Sequence, residues 1–248
     1  MANLGGAVAI AIALHLPVGE IAVRLGFGLL LNVLVYLNND YVDGDADLEA
    51  AGREHDKTAF LMAHRAAAVR AQLGAVVVLG VIAAWFGGGL WIPLWLGGGV
   101  CWAYSVVLKR RPVVDVLAMM AWGMAMPMVG VPPAAIETAM PLLIMLGLFS
   151  GVFESVQVLR DLDDDKARGV RTTAVVWGRA PTLALVRGIA LLAAVHTAWA
   201  FGLWVAIPAA LAALWKVGDA APLALWNRLR VLCGLSFVLA CYSVWSGG

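Results

Sequence analysis

Two short stretches carry the residues able to do chemistry. Asn39 to Asp47 reads N-D-Y-V-D-G-D-A-D and comes where the apolar run Phe27 to Leu37 ends. Asp40, Asp43 and Asp47 stand at i, i+3 and i+7, which puts three carboxylates on one face if a helix runs on through the motif. Asn39 adds a neutral oxygen beside them. The second stretch, Asp161 to Asp165, ends another apolar run at Val158 and Leu159, and Asp161 and Asp165 again share a helical face at i, i+4. Of 16 acidic residues, seven lie between Asp40 and Asp56 and four between Asp161 and Asp165, so the acidity is concentrated rather than spread for solubility. A charge at the centre of a bilayer costs roughly 2.5 to 3.5 kcal/mol on insertion scales, so carboxylate clusters at a membrane edge need solvent or a cation. A divalent metal is the economical partner; the plain alternative is two solvated loops.

The elements that must position these residues are membrane spans. A chain of 248 residues that is 62% hydrophobic and 13% charged, against about 25% charged in soluble domains, is an integral membrane protein. Each span needs about 20 apolar residues, and the chain divides into roughly nine such segments with short connections. The expected fold is therefore all-α and polytopic, with about nine helices around a central cavity and a single domain over 1–248. The net charge of +1 says nothing about nucleic acid, because the basic residues sit in short clusters between apolar runs and report orientation instead; the expected surroundings are the lipid bilayer, with no nucleic-acid partner.

In order, the spans are Leu4 to Val18, Ile21 to Leu37, Ala71 to Phe86, Leu90 to Leu108, Val113 to Val131, Thr138 to Leu159, Pro181 to Phe201, Gly202 to Val217 and Leu229 to Trp245. The N-terminus lacks the basic start of a secretory signal and reads as a retained first span. Asn38 to Arg70 is long enough for a partly helical cap, while Gly87 to Gly89 and Pro132-Pro133 mark turns. Lys and Arg gather after the even-numbered spans. The positive-inside rule then puts both acidic clusters, at the ends of spans two and six, on the cytoplasmic side of a cell inner membrane.

Other residue types are less informative. Cys101, Cys233 and Cys241 lie in apolar segments and read as small buried hydrophobes. His15, His55, His64 and His196 show no i, i+4 pair that would form a metal site. Asp43, Asp45, Asp47 and Glu54 match positions 1, 3, 5 and 12 of a calcium-binding EF-hand loop, yet position 6 is Leu48 where that loop needs glycine. Glu154 sits inside span six at i−7 from Asp161, on the same face; it either lines the cavity, orienting an acceptor or taking its proton, or is a satisfied structural carboxylate. Asp115 reads as an ion-pair partner at the interface.

Together these motifs resemble the UbiA superfamily of intramembrane prenyltransferases. Its first signature, N-D-x-x-D-x-x-x-D, is matched by Asn39, Asp40, Asp43 and Asp47, and its second, D-x-x-x-D, by Asp161 and Asp165. The continuation R-D-L-D-D-D-K-A-R-G-V-R-T-T-A-V-V-W-G, with Arg160, Gly169, Arg171 and Thr172, is also similar. The resemblance covers nearly the whole chain. It departs where the family often has Tyr-x-x-x-Lys, since Tyr104 and Lys109 are five apart, and in a start without the usual basic and proline-containing lead-in.

The resemblance implies an enzyme that ionises a prenyl diphosphate with Mg²⁺ and transfers the prenyl group to a lipophilic acceptor, such as an aromatic quinone precursor. A cyclase of the same superfamily, acting on the diphosphate without an acceptor, is the alternative it leaves open. Asp40, Asp43, Asp47, Asp161 and Asp165 become the metal and catalytic candidates, with Asn39 supporting them. Lys109, Arg110 and Arg171 touch phosphate or are ordinary positive-inside residues; Arg160 either does the same or braces Asp161. Tyr104 and Glu154 complete the candidate substrate contacts. Met119, Met120, Trp122, Met124, Met126, Met128, Phe149 and Phe153 offer soft and aromatic surface to a cation, or simply pack.

Overall fold

The computed structural model describes residues 2–49, 55–214 and 222–247, and among them every regular element is helical. Helix α1 covers Ala2–Ala13 and α2 Val18–Glu49, followed by α3 (His55–Ala63) and α4 (Arg65–Phe86). Next come α5 (Trp91–Pro93), a π turn at Leu94–Gly98, α6 (Gly99–Val106), a 3₁₀ turn at Leu108–Arg110 and α7 (Val114–Ala125). Then follow α8 (Ile136–Arg160), α9 (Leu162–Ala167), α10 (Thr173–Trp177), α11 (Arg179–Phe201), α12 (Leu203–Leu214) and α13 (Pro222–Trp245).

Five of these helices are long and apolar enough to cross a membrane: Val18–Asp45, Arg65–Phe86, Pro133–Arg160, Arg179–Phe201 and Pro222–Trp245. Leu4–Ala13, Val114–Gly130 and Leu203–Leu214 are shorter apolar helices. The segment expected as one span over Leu90 to Leu108 is helical from Trp91 to Val106, with a π-helical stretch at Leu94–Gly98 inside it. The final span begins at Pro222, earlier than its apolar run suggests.

Helix α8 is the centre of the bundle, with 72% of its apolar stretch buried against 17–33% for the other long helices. It packs against α7, α11 and α13. Two glycines make its approach to α7 possible, because a Cβ on Gly147 would stand 2.4 Å from Met124 Cγ and one on Gly151 2.5 Å from Met120 Cγ. A second apolar cluster joins α2, α4 and the turn after α7 through Phe27, Leu31, Leu79, Ala83 and Val129.

At the opposite end of α2 from the acidic motif, Arg24 is only 2% exposed. Its guanidinium donates to Glu20 at 2.9 Å and to the backbone carbonyls of Val129 (2.9 Å), Val131 (3.3 Å) and Gly88 (2.9 Å). Phe86 lies over the same group, 5.5 Å from ring centroid to Cζ. A charge that costs kcal/mol when buried unpaired is thus satisfied on every side, and in return it pins three chain segments together.

Candidate active site

Helix α2 runs unbroken from Val18 to Glu49, so Asp40 and Asp43 do lie on a continuous helix extending past the apolar stretch. That continuity also removes the calcium-loop match, which needs a turn there. Asp47 is in the same helix, its side chain outside the described residues, and Glu54 lies outside them as well. At the other cluster, Asp161 joins α8 to α9 and accepts a backbone hydrogen bond from Asp165 N–H at 2.8 Å, so the i, i+4 relation is kept across the junction.

The side chains around these carboxylates are cationic. Lys57 Nζ stands 2.9 Å from Asp40 Oδ2, and Lys109 Nζ 2.8 Å from Asp43 Oδ2. Asp45 pairs with Arg65 on the outer side. Arg160 grips Asp161 with two hydrogen bonds, Nε at 2.8 Å and Nη2 at 3.0 Å, and so takes the bracing role. Arg110 and Arg171 are exposed.

Asn39 accepts a hydrogen bond from Ser105 Oγ at 3.2 Å. The Asn39–Ser105 and Asp43–Lys109 pairs are both 66 residues apart, the constant offset of two segments running side by side in the same direction. Spans two and four therefore end at the same level. Lys109 reaches Asp43 because α6 stops at Val106 and the chain tightens into the 3₁₀ turn Leu108–Arg110, which absorbs the extra residue between Tyr104 and Lys109.

Lys109 also connects the two clusters, its positive charge acting on Asp165 as well as on Asp43. Asp165 is 6% exposed, and burial first, then the neighbouring Asp161, pushes its carboxyl above the usual range. Deeper in the bundle, Tyr104 O–H donates to Glu154 Oε1 at 2.6 Å, joining α6 to α8, and Glu154 is 7% exposed.

Asp115 differs from its expected role. It is fully buried and, among the described residues, pairs with no cation; instead it accepts hydrogen bonds from Val116 N–H (2.8 Å), Thr173 N–H (2.7 Å) and the Thr173 hydroxyl. Thr173 Oγ1 in turn accepts from Val113 N–H at 2.6 Å, holding Val113 at φ +70. A β-branched residue in the left-handed region is strained, by about 1–3 kcal/mol, and here the knot with Thr173 keeps it there. Proximity to Lys109-Arg110-Arg111 in sequence suggested an ion pair; the partner lies 58 residues away.

Among the described residues no three His, Cys, Asp or Glu side chains converge as a ready-made metal shell. The donor set is nevertheless all hard oxygen, which suits Mg²⁺ or Ca²⁺ rather than a thiolate- or imidazole-bound metal. Asp40 and Asp43 each hold an ammonium group, and Asp165 is raised partly by its acidic neighbour, so both clusters call for positive charge. In chemical type the residues fit a hard divalent cation.

The family model of the UbiA prenyltransferase family matches residues 2–244. This chain belongs to the UbiA prenyltransferase family. Two solved structures of a UbiA homologue from Archaeoglobus fulgidus share its fold, each with a TM-score of 0.75 over 99% of this chain and 96% of that one. One is bound to DMAPP and Mg²⁺ and is 15% identical in sequence; the other is bound to GPP and Mg²⁺ and is 14% identical. No curated protein matches the chain. Within the UbiA fold, the two acidic motifs sit at the ends of α2 and α8, and α6 carries the tyrosine and serine between them.

Proposed function

We propose that this UbiA-family chain is a Mg²⁺-dependent prenyltransferase. It ionises a prenyl diphosphate and passes the prenyl group to a lipophilic acceptor, probed best among aromatic quinone precursors. The observation that carries this reading is the meeting of α2 and the end of α6, where Lys109 pairs with Asp43 at 2.8 Å and Ser105 with Asn39 at 3.2 Å, so that an ammonium group stands on the face of the first acidic motif. Carboxylates and an ammonium together form a mixed-charge seat of the kind a metal diphosphate needs.

Asp40, Asp43, Asp47, Asp161 and Asp165 would hold the cation, with Asn39 kept in place by Ser105. Bound Mg²⁺ supplies the neutralising charge for the pyrophosphate as the allylic carbon–oxygen bond breaks. The chain's own residues do the rest. Lys109, with Arg110 and Arg171 at the exposed rim, offers donors to phosphate oxygens, and Arg160 fixes the orientation of Asp161. The apolar walls of α7 and α8 keep water from the allylic cation. We place the site on the cytoplasmic face of the inner membrane and treat 1–248 as a single domain, in keeping with the positive-inside pattern.

The test is pyrophosphate release and product analysis by mass spectrometry. Detergent-purified protein is given Mg²⁺ and farnesyl or geranylgeranyl diphosphate, with and without a panel of aromatic acceptors. Product formation only with acceptor, together with a loss of at least about 100-fold in Asp40→Ala and Asp161→Ala, supports the reading. Undiminished pyrophosphate release in either variant refutes it, and a cyclised product from the diphosphate alone reassigns the chain as a cyclase.

A further inference from the structure

Glu154 is set apart from the acidic motifs by depth. Helix α8 is continuous from Ile136 to Arg160, so the seven residues between Glu154 and Asp161 place Glu154 about 10 Å further into the membrane on the same face. A diphosphate held at the motifs with its prenyl chain directed inward has its reacting carbon, bonded to the innermost diphosphate oxygen, on the inner side of the aspartates and facing the level of Glu154.

Keeping a carboxyl group at that depth has a cost, which is reduced only if the group is hydrogen-bonded. One hydrogen bond is made, to Tyr104 through Oε1 at 2.6 Å. Among the described residues Glu154 has no other hydrogen-bond partner, so Oε2 retains its lone pairs. The same face of α8 carries Gly147 and Gly151, against which Met120 and Met124 pack, while Phe153 beside Glu154 meets Trp226 at 5.0 Å between ring centroids. The pair thus leaves one carboxylate oxygen, Oε2, without a hydrogen-bond partner among the described residues, while the nearest other buried carboxylate, Asp115, is occupied by Val116 N–H and by Thr173.

We propose that Glu154 is the catalytic base that removes the acceptor's proton during coupling, and that Tyr104 is a positioning residue holding its carboxylate. This rests on the transferase reading above. The step balances without any redox partner. The allylic carbon–oxygen bond breaks and its electron pair leaves with pyrophosphate. The acceptor's electron pair forms the bond to the allylic carbon. The acceptor's hydrogen leaves as a proton to Glu154 Oε2, its bonding pair remaining on the acceptor. The substrate class that follows is an acceptor that must lose a proton on coupling, such as an electron-rich aromatic ring.

The experiment uses full-length protein in detergent with Mg²⁺, geranylgeranyl diphosphate and an aromatic acceptor that the wild-type protein couples. Pyrophosphate and coupled product are counted separately. In Glu154→Gln, coupled product per pyrophosphate released is expected to fall at least about 100-fold, with prenyl alcohol taking its place. Glu154→Asp is expected to restore at least about tenfold of that loss. Coupling per pyrophosphate equal to wild type in Glu154→Gln overturns the proposal, as does a parallel fall in release and coupling. Should Glu154→Gln fail to fold, Tyr104→Phe decides: a lowered ratio of coupled product to pyrophosphate supports the proposal, and an unchanged ratio overturns it. A wild-type protein that releases no pyrophosphate is a separate outcome, which refutes the function itself.

Discussion

Lys109 Nζ lies 2.8 Å from Asp43 Oδ2, a contact between the 3₁₀ turn after α6 and the acidic face of α2. Both groups are partly buried, the Asp43 side chain being 16% exposed, so neither charge is freely solvated. On the proposed reading, a cation held by Asp43 would compete with this ammonium and leave it free to meet phosphate oxygens.

Replacing Lys109 by Met is therefore expected to raise the KM for prenyl diphosphate about tenfold, equivalent to about 1.4 kcal/mol, with kcat within threefold. Steady-state kinetics at fixed Mg²⁺ check this. An unchanged KM would show that Lys109 serves only Asp43.

Asp165 gives a pH-dependent prediction. Its carboxyl is raised in the fold by burial and by Asp161, so the folded state favours the protonated form. The stabilising contribution of that proton is fully present below the unfolded pKa of about 4 and is lost as the pH rises through the folded value. Near neutrality the ionised group thus weakens the metal-free fold. Asp165→Asn, in the presence of chelator, is expected to melt a few degrees above wild type near pH 7, with the gap closing toward pH 4, while losing prenyl transfer. Thermal melts across that range decide it; a lower melting point near pH 7 would contradict the assigned cause.

Arg24 lies at the other end of the bundle, away from the chemistry. Arg24→Met would leave Glu20 and the carbonyls of Val129, Val131 and Gly88 without their donor. A loss of about 3–5 kcal/mol is expected, read as a lower denaturant midpoint in detergent. Affinity for the diphosphate in the remaining folded protein should be unaltered.

The sequence made some of this legible and hid the rest for a physical reason. Helical spacing alone placed Asp40 with Asp43 and Asp161 with Asp165, because those relations are local and α2 and α8 keep their regular geometry. Hydropathy located the long helices but not the π-helical stretch at Leu94–Gly98, because an apolar composition suits α and π geometry equally. Partners contributed by distant segments were not visible: Ser105 for Asn39, Lys57 for Asp40, Tyr104 for Glu154 and Thr173 for Asp115. Arg24 carried a clue, a lone cation among apolar residues four after Glu20, but only the fold reveals the carbonyls it serves.

The knot between Asp115 and Thr173 has a mechanical side. The second acidic motif lies on the stretch 161–172, which leaves α8 at one end and enters Thr173 at the other. The first end is rooted in the most buried helix, and the second is tied to α7 by a carboxylate that accepts both the backbone and the hydroxyl proton of one threonine. This stretch is a short bridge clamped at both abutments. Held in this way, it keeps Asp161 and Asp165 from swinging out of register with α2.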